Sequence, residues 1–248
     1  MLTEPTLTKL RALRLDAFAA AWTEQQKNSD LAQLSFDERL GLLVDAECLS
    51  RENKRLARLL KEAKLRLGQA CVEDIDYPPR RELDKAQVRQ MATCRWVQEQ
   101  QNVVITGPTG VGKTFVACAL AQQACRKGFS ALYRRASRLF DELALARADG
   151  TYVRTLARIA RIDVLIIDDW GLTPVTDQER SDFLEILEDR CGQRSTIMTS
   201  QLPPNTWHQH LADCHLADAI LDRILNNAHR LALKGPSRRR PDKEKQPE

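Results

Sequence analysis

Hydrophobic and polar residues follow a helical pattern over the first part of this chain. From Leu7 to Trp22, and again after Ser35, apolar residues recur with the spacing of amphipathic helices. Ser35 and Glu38 have the spacing of a capping box, so we predict that a long helix begins there. Near its end one apolar stripe is predicted to face a core, consisting of Leu56, Leu59, Leu60, Ala63 and Leu67.

The remainder of the chain alternates short apolar runs with helical patterns. A pair of prolines within 74–80 interrupts the periodicity and predicts a linker. Predicted strands occupy 102–106, 129–134, 163–169 and 195–200, and predicted helices occupy 82–101, 115–126, 137–148, 152–161, 177–191 and 216–233. This alternation predicts an α/β fold, a parallel sheet flanked by helices. The predicted domains are an all-α domain over 1–73, the α/β domain over 74–240 and a disordered charged tail over 241–248.

Composition narrows the class of protein. The chain has 248 residues, 43% hydrophobic and 29% charged, which suffices for one α/β domain and a smaller helical appendage. No apolar run approaches a membrane span, and Met1–Pro5 lacks the character of a secretion signal, so we expect a cytoplasmic protein without a membrane partner. The seven cysteines form no CxxC pair, and their odd number favours reduced thiols.

The octapeptide GPTGVGKT carries the strongest chemical signal. It fits the phosphate-loop pattern G-x-x-x-x-G-K-[ST] and joins a predicted strand to a predicted helix, a context that a chance glycine-rich turn would not share. Its backbone N–H groups and the positive helix end are suited to a triphosphate. Lys113 is predicted to reach the β- and γ-phosphates, and the Thr114 hydroxyl to bind Mg²⁺. The predicted nucleotide-binding residues are Gly107, Pro108, Thr109, Gly110, Val111, Gly112, Lys113, Thr114 and Phe115.

Two carboxylates follow the apolar run Val164–Ile167, which is the Walker B arrangement. A buried parallel strand delivers its carboxyl end to the crevice where phosphate and metal lie. We therefore predict that Asp168 holds Mg²⁺ and that Asp169 orients or deprotonates the attacking water.

Basic residues are concentrated in parts of the chain, although the net charge is only +4. The segment 126–161 has nine basic residues against three acidic ones, and 47–67 has seven against three. Such segregation suits a polyanion such as nucleic acid, and solvated helix faces would produce the same pattern. The candidate DNA contacts are two one-sided basic faces, Arg51, Lys54, Arg58 and Lys61 on one helix and Arg154, Arg158 and Arg161 on another.

With these motifs in view, the chain resembles the AAA+ ATPases of the DnaC-like helicase-loader clade, and within it the IstB-type helper ATPases of bacterial insertion sequences. The resemblance covers nearly the whole chain, and its most specific parts are TSQLPPNTWH and ADAILDR. It implies an AAA+ P-loop NTPase core, with Gln201 at the sensor-1 position and Arg223 as an arginine finger that reaches a neighbouring subunit. Ser237 and Arg239 match the Ser-x-Arg ending of the loaders.

The leading interpretation is an Mg²⁺-dependent ATPase that assists transposition. No guanine-reading [NT]KxD sequence is present, which favours ATP over GTP. The resemblance implies three partners: duplex DNA, the transposase of the same insertion sequence and further copies of the chain in an ATP-dependent oligomer. A replicative helicase loader, an ATP-gated DNA clamp with little need for turnover and a small-molecule P-loop kinase are the alternatives.

One further cluster, His208, His210, Asp213, Cys214 and His215, raises the question of a metal site. The spacings H-x-H and C-H are not those of a structural zinc site, so no metal is predicted there.

Overall fold

The structure is a computed structural model, and it describes residues 3–28 and 30–238. The chain divides into two compact units, Met1–Arg58 and Leu59–Glu248. The division falls earlier than the boundary predicted before Asp74, because the segment 59–73 packs within the second unit. The predicted tail over 241–248 lies outside the described residues.

The first unit is helical, and it splits the single helix predicted over 7–22 into two. Helix α1 spans Thr3–Ala12 and α2 spans Asp16–Gln25. The break has a physical cause: the Glu47 carboxylate accepts hydrogen bonds at 3.0 and 3.1 Å from the backbone N–H groups of Ala17 and Phe18, in the first turn of α2.

Helix α3 spans Phe36–Ala63 and begins at the predicted capping box. The backbone N–H of Ser35 donates to the Glu38 carboxylate at 2.8 Å, and Glu38 N–H donates back to the Ser35 hydroxyl. At the other end the predicted stripe is wrong for Leu67, which is 39% exposed. The helix has already ended, because Lys64 adopts the left-handed conformation with φ 49°.

The second unit contains a five-stranded sheet in the order β2-β3-β4-β1-β5, with every strand parallel to its neighbours. The strands are β1 (Asn102–Thr106), β2 (Ala131–Arg135), β3 (Val164–Trp170), β4 (Ser195–Ser200) and β5 (Ala228–Ala232). Strands β1 and β4 have their predicted bounds. The parallel sheet places all five carboxyl ends along one edge, where ligands bind in such folds.

Helices connect and cover the strands of the second unit. They are α4 (Lys85–Ala92), α5 (Arg95–Gln98), α6 (Lys113–Arg126), α7 (Ala136–Ala148), α8 (Tyr152–Arg161), α9 (Asp177–Arg190), α10 (Trp207–Leu211) and α11 (Cys214–Leu225). None of the helices in the described part of the chain is long and apolar enough to cross a membrane.

Two predicted helices need correction. The helix predicted over 82–101 is interrupted by Cys94, whose φ of 61° separates α4 from α5. The helix predicted over 216–233 ends at Leu225, and β5 follows it. Pairing with β1, in the register Ile105↔Leu231, turns this last apolar segment into an edge strand.

The core of the second unit is dense around β3. Residues Val164–Ile167 are fully buried, and the next apolar residue, Trp170, stacks on Phe183 of α9 with ring centroids 4.4 Å apart. Trp207 meets Trp170 edge-on at 6.4 Å. This packing fixes the carboxyl end of β3, and with it the two carboxylates that precede Trp170.

Candidate nucleotide-binding site

The loop between β1 and α6 contains glycines that lie in close contact with the segment after β5. Gly107 and Gly110 have φ angles of 146° and 85°, a region that favours glycine. A Cβ at Gly107 would overlap the carbonyl oxygen of Leu233, and one at Gly110 would overlap the Ser237 hydroxyl. The described chain thus brings the segment after β5 against the phosphate loop, and only glycine fits between them.

Lys113, the first residue of α6, is buried beneath this loop. Its Nζ donates to the carbonyl oxygens of Gly107 and Pro108 at 2.7 and 2.9 Å. Only 6% of the residue is exposed. The ammonium group is therefore held inside the curve of the loop, where a phosphate would bring it a stronger anionic partner.

Asp168 is the most enclosed group of the site, with no exposed surface. Its carboxylate accepts hydrogen bonds from three hydroxyls: Thr114 at 2.9 and 3.1 Å, Tyr133 at 2.7 Å and Thr199 at 2.5 Å. Burial, and then the adjacent Asp168 carboxylate, raise the pKa of Tyr133, so the phenol stays protonated and donates. The phosphate loop and Walker B strand are thereby joined directly through Thr114 and Asp168.

Asp169 stands at a kink in β3. The pairing of β3 with β4 shifts register between Ile167 and Trp170, and Asp169 has φ 60°, an unusual backbone for a non-glycine residue. Its N–H donates to the Thr199 hydroxyl at 3.0 Å. Its carboxylate accepts from Nε and Nη2 of Arg135 at 3.0 and 2.8 Å. The kink turns this carboxylate away from the sheet toward the cleft, which it lines.

A cleft of about 530 Å³ lies at this edge of the sheet. Thr109, Gly110, Lys113, Thr114, Asp169 and Gln201 line it together with Leu67, Asp74, Gly112, Phe115 and Arg238. Gln201 faces the phosphate loop, and its Oε1 accepts a hydrogen bond from the Thr109 hydroxyl at 2.6 Å. The cleft therefore brings together predicted residues from the loop, from Walker B and from the end of β4.

The groups present fit both ligands that the sequence predicts. A glycine cradle at a helix N-terminus with a buried lysine suits a triphosphate. For Mg²⁺, a hard cation that takes oxygen ligands, the Thr114 hydroxyl and the buried Asp168 carboxylate are in mutual contact at the same edge. Thr114 and Asp168 would hold the metal.

Sequence reasoning missed seven residues of the site: Arg66, Leu67, Asp74, Tyr133, Arg135, Thr199 and Arg238. Tyr133 and Arg135 are two residues apart at the end of β2, so they share one face of that strand. The available signal was positional, since polar residues at the carboxyl end of a strand beside Walker B point to the site. Arg66 and Arg238 come from segments outside the sheet and had no such signal.

Arg223 does not line the cleft of its own chain. Its guanidinium donates to Glu188 at 2.8 Å and to the Ala219 carbonyl oxygen at 2.9 Å, and its side chain is 28% exposed. Its carbonyl oxygen accepts from Asn102, the first residue of β1, whereas the phosphate loop follows the last. The residue thus lies at the opposite end of β1, and its role as a finger stays a prediction.

The histidine cluster has structural partners. His208 pairs with Asp218 at 3.3 Å, His210 contacts the edge of Trp170, and Asp213 caps α11 through the N–H of Leu216. Burial lowers the pKa of His210. No metal-binding group of three or more His, Cys, Asp or Glu occurs in the described residues. The side chain of Cys214 lies outside that description, as does Arg239 of the predicted Ser-x-Arg ending.

The predicted arginine face of α8 is exposed. Arg154, Arg158 and Arg161 are all exposed, whereas Leu156 and Ile159 on the opposite face are 5% and 1% exposed. The three arginines line one concave surface, together with Thr151, Thr155, Ala157 and Ile162. None of them forms an ion pair within residues 3–28 and 30–238.

The basic face of α3 is exposed as well. Arg51, Lys54, Arg58 and Lys61 all face solvent. Arg51 differs from the rest, because its guanidinium is paired with Glu47 at 2.8 Å and also donates to the Arg14 carbonyl oxygen at 3.3 Å.

Comparison with known proteins gives a consistent picture. A family model described as IstB-like ATP binding protein matches residues 8–246. An insertion sequence ATP-binding protein of Sinorhizobium fredii is 48% identical over 245 residues, covering 99% of this chain and 100% of its own length. The crystal structure of DnaI is similar with TM-score 0.58 and 24% identity, covering 72% of this chain and 94% of that one. The crystal structure of the DnaC helicase loader is similar with TM-score 0.52 and 23% identity, and the match covers 66% of this chain and 97% of that one.

Proposed function

Because the chain belongs to the family of IstB-like ATP binding proteins, we propose that it hydrolyses ATP with Mg²⁺, assembles on target DNA and recruits the transposase of its insertion sequence. It has the AAA+ P-loop NTPase fold, as the resemblance implied, and it is an ATP-binding protein associated with insertion sequences. The proposed steps are ATP hydrolysis, DNA binding, assembly into oligomers and recruitment of the transposase.

The contact between Thr114 and Asp168 carries the proposal of Mg²⁺-dependent ATP chemistry. These two residues come from the phosphate loop and from β3, and their side chains meet at 2.9 Å with Asp168 fully buried. Bound Mg²⁺ would neutralise charge that develops on the phosphates. The chain itself contributes Lys113 for the phosphates and the loop N–H groups that surround them.

Asp169 supports the hydrolytic part of the proposal. Its carboxylate borders the cleft, is 17% exposed and keeps its orientation through Arg135 and the strained backbone. A carboxylate at this place can orient a water molecule or take its proton. Gln201, which is hydrogen-bonded to Thr109 of the phosphate loop, is suited to sense the nucleotide from the neighbouring strand.

The exposed arginine face of α8 supports DNA binding. Arginines on one helical face that form no ion pair within the described chain are suited to bind anions. The pKa of the nearby Glu142 is lowered by its hydrogen bond with Arg134 and also by the charge of Arg158. We assign phosphate contacts to Arg154, Arg158 and Arg161, with the basic face of α3 as a further contact surface. Copies of the chain would meet along DNA, with Arg223 of one copy reaching the nucleotide of the next.

The direct test is ATP-dependent assembly of the full chain on duplex DNA. We expect sedimentation to show oligomers when DNA is mixed with ATP or a non-hydrolysable analogue, and free chain without nucleotide. Asp169→Asn should assemble normally but hydrolyse ATP roughly 10²- to 10⁴-fold more slowly, because it keeps the shape and loses the base. Asp141→Asn, an exposed carboxylate outside the cleft, is the control.

Binding to the transposase is measured separately by co-sedimentation with the assembled complex. Equal assembly with and without nucleotide would refute the ATP-dependent step. Normal ATP turnover by Asp169→Asn would assign the water-activating role to another group. Oligomers that bind DNA but leave the transposase in the supernatant would favour a DNA clamp over a transposition helper.

A further inference from the structure

The segment that follows α3 forms one wall of the nucleotide cleft. The helix ends at Ala63, and Lys64 turns the chain with φ 49°. Leu67 and Asp74 both line the cleft. Neither Walker motif includes this segment.

Arg66 extends from this segment to both Walker B carboxylates. Its Nη1 lies 3.7 Å from Oδ2 of Asp168 and 3.8 Å from Oδ2 of Asp169. It also interacts with the side chain of Tyr133, whose hydroxyl donates to Asp168. Its guanidinium thus lies at nearly equal distances from the two carboxylates, one of which, Asp168, is predicted to hold the metal.

The backbone around Arg66 is well anchored, so this reach does not depend on a loose loop. The Cys118 thiol of α6 lies close to the backbone of Arg66 and Leu67. Ala70 is 2% exposed, and the short turn Val72–Asp74 packs against α6. The segment therefore packs as part of the second unit, and its packing limits the positions that Arg66 can adopt.

Two arginines lie near the carboxylates of Asp168 and Asp169, and they interact with them in different ways. Arg135 makes two hydrogen bonds to Asp169, at 3.0 and 2.8 Å. Arg66 stays beyond hydrogen-bond distance from both carboxylates, and its side chain is 41% exposed. A partly exposed ion pair of this kind is weak, whereas a guanidinium binds a phosphate with two parallel hydrogen bonds. A phosphate near Asp168 would therefore attract Arg66 more strongly than the carboxylates do.

We propose that Arg66 binds the terminal phosphate of the nucleotide held by its own chain, and so makes the segment after α3 sensitive to ATP rather than ADP. The inference rests on the proposed ATPase function. Arg66 would be a second cation from the same chain, beside Lys113, which contacts the phosphates from the side of the loop. Its role would not depend on a neighbouring subunit.

The test compares nucleotide affinities of the full, unassembled chain, without DNA. ADP and a non-hydrolysable ATP analogue are titrated with Mg²⁺ into the wild type, Arg66→Ala, Arg66→Lys and Lys64→Ala by calorimetry. Arg66→Ala should lose about ten- to a hundredfold in affinity for the analogue, the range of a charged hydrogen bond, and keep ADP affinity within about twofold. Arg66→Lys should lose less, because it retains the charge without the fork. Lys64→Ala, a neighbouring exposed cation, should bind both as wild type does.

Each outcome decides the matter. Equal loss for ADP and the analogue would show that Arg66 supports the fold of the site, and unchanged affinities would exclude a phosphate contact. Tighter binding by Arg66→Ala would show that Arg66 blocks the carboxylates instead, which also overturns the proposal. If Arg66→Ala fails to fold, as judged by the loss of its cooperative melting transition, the ratio of the two affinities in Arg66→Lys decides. A wild type that binds neither nucleotide would refute the proposed function itself.

Discussion

The nucleotide cleft and the arginine face of α8 lie in the same unit and differ in one physical respect. In the cleft, Asp168 is fully buried and accepts hydrogen bonds from three hydroxyls, and Asp169 is held by Arg135. On α8, Arg154, Arg158 and Arg161 are exposed and have no ion-pair partner in the described part of the chain.

The contrast shows how each region must work. A buried polar group is costly unless it is paired, so the cleft is assembled by its internal contacts before any ligand arrives. Exposed cations cost little to leave solvated, so their partner can be external. We therefore expect large, specific effects from single changes in the cleft and graded, salt-dependent effects from changes on α8.

Arg223 provides the strongest test of this comparison, since it combines a partner in its own chain with a proposed role in another subunit. It has an internal partner, Glu188, yet we assign it to another subunit's nucleotide. Arg223→Ala should lower the hydrolysis that accompanies assembly by about 10³-fold or more, the typical effect of an arginine finger. ATP binding by the unassembled chain should be unchanged. Hydrolysis is measured with and without DNA, with Arg230→Ala as the control.

Mixing experiments show whether Arg223 acts across an interface. Arg223→Ala combined with Lys113→Ala should recover part of the activity, because a mixed oligomer contains interfaces with one intact lysine and one intact arginine. If no mixing ratio restores hydrolysis, Arg223 serves only the fold of its own chain through Glu188.

Lys113→Ala is expected to have the next largest effect. It removes a buried cation from the loop and should weaken ATP binding on the order of a hundredfold. Lys127→Ala, which removes an exposed lysine just after the same helix, should bind normally. Unchanged affinity of Lys113→Ala in a nucleotide titration would mean that the cleft is not the phosphate site.

The arginine face gives a smaller and salt-dependent effect. If three phosphate contacts are lost, replacing Arg154, Arg158 and Arg161 by Ala should flatten the slope of log DNA affinity against log salt by about 2.7, and leave ATP affinity unchanged. The matched control replaces three arginines that have carboxylate partners in the chain: Arg95, Arg126 and Arg138. A slope equal to wild type would move the DNA surface to the basic face of α3.

Tyr133→Phe tests how much a single hydroxyl group of the cleft contributes to stability. It removes a donor from the buried Asp168 carboxylate and should lower the free energy of unfolding by about 1 to 2 kcal/mol. This corresponds to a fall in Tm of roughly 2 to 8 °C for a chain of this size. Tyr77→Phe is the control, since the Tyr77 hydroxyl makes no hydrogen bond with the described residues. Equal melting temperatures would show that solvent replaces the lost donor, so the site would be more open than the contacts imply.

Local chemistry determined the parts of the site that the sequence predicted. The phosphate loop needs glycines with positive φ and a lysine at the helix start, and these requirements lie within one octapeptide. The α8 helix likewise has its predicted bounds and faces, because its apolar and basic residues separate cleanly at helical spacing. For such segments, neighbours along the chain supply most of the constraints.

Segments whose structure depends on distant partners were predicted less well. The helix predicted over 7–22 breaks where Glu47, from another helix, holds the start of α2. Strand β5 exists because its backbone pairs with β1, and nothing in its short apolar pattern distinguishes it from a helix. The stripe on α3 failed at Leu67 because the chain leaves the helix to form a wall of the cleft.

The sequence by itself determined which residues could bind phosphate and metal, since Lys113, Thr114 and Asp168 are recognisable from motif and strand position. Only the tertiary structure decided what surrounds them: Tyr133 of β2, Thr199 of β4 and Arg66 from the segment after α3. For Tyr133 and Thr199 the physical reason is the strand order β2-β3-β4-β1-β5, which places β2 and β4 on either side of β3, and for Arg66 it is the packing of the turn Val72–Asp74 against α6. Hydrogen bonds between strands set that order, and they bring side chains together that no local pattern of residues connects.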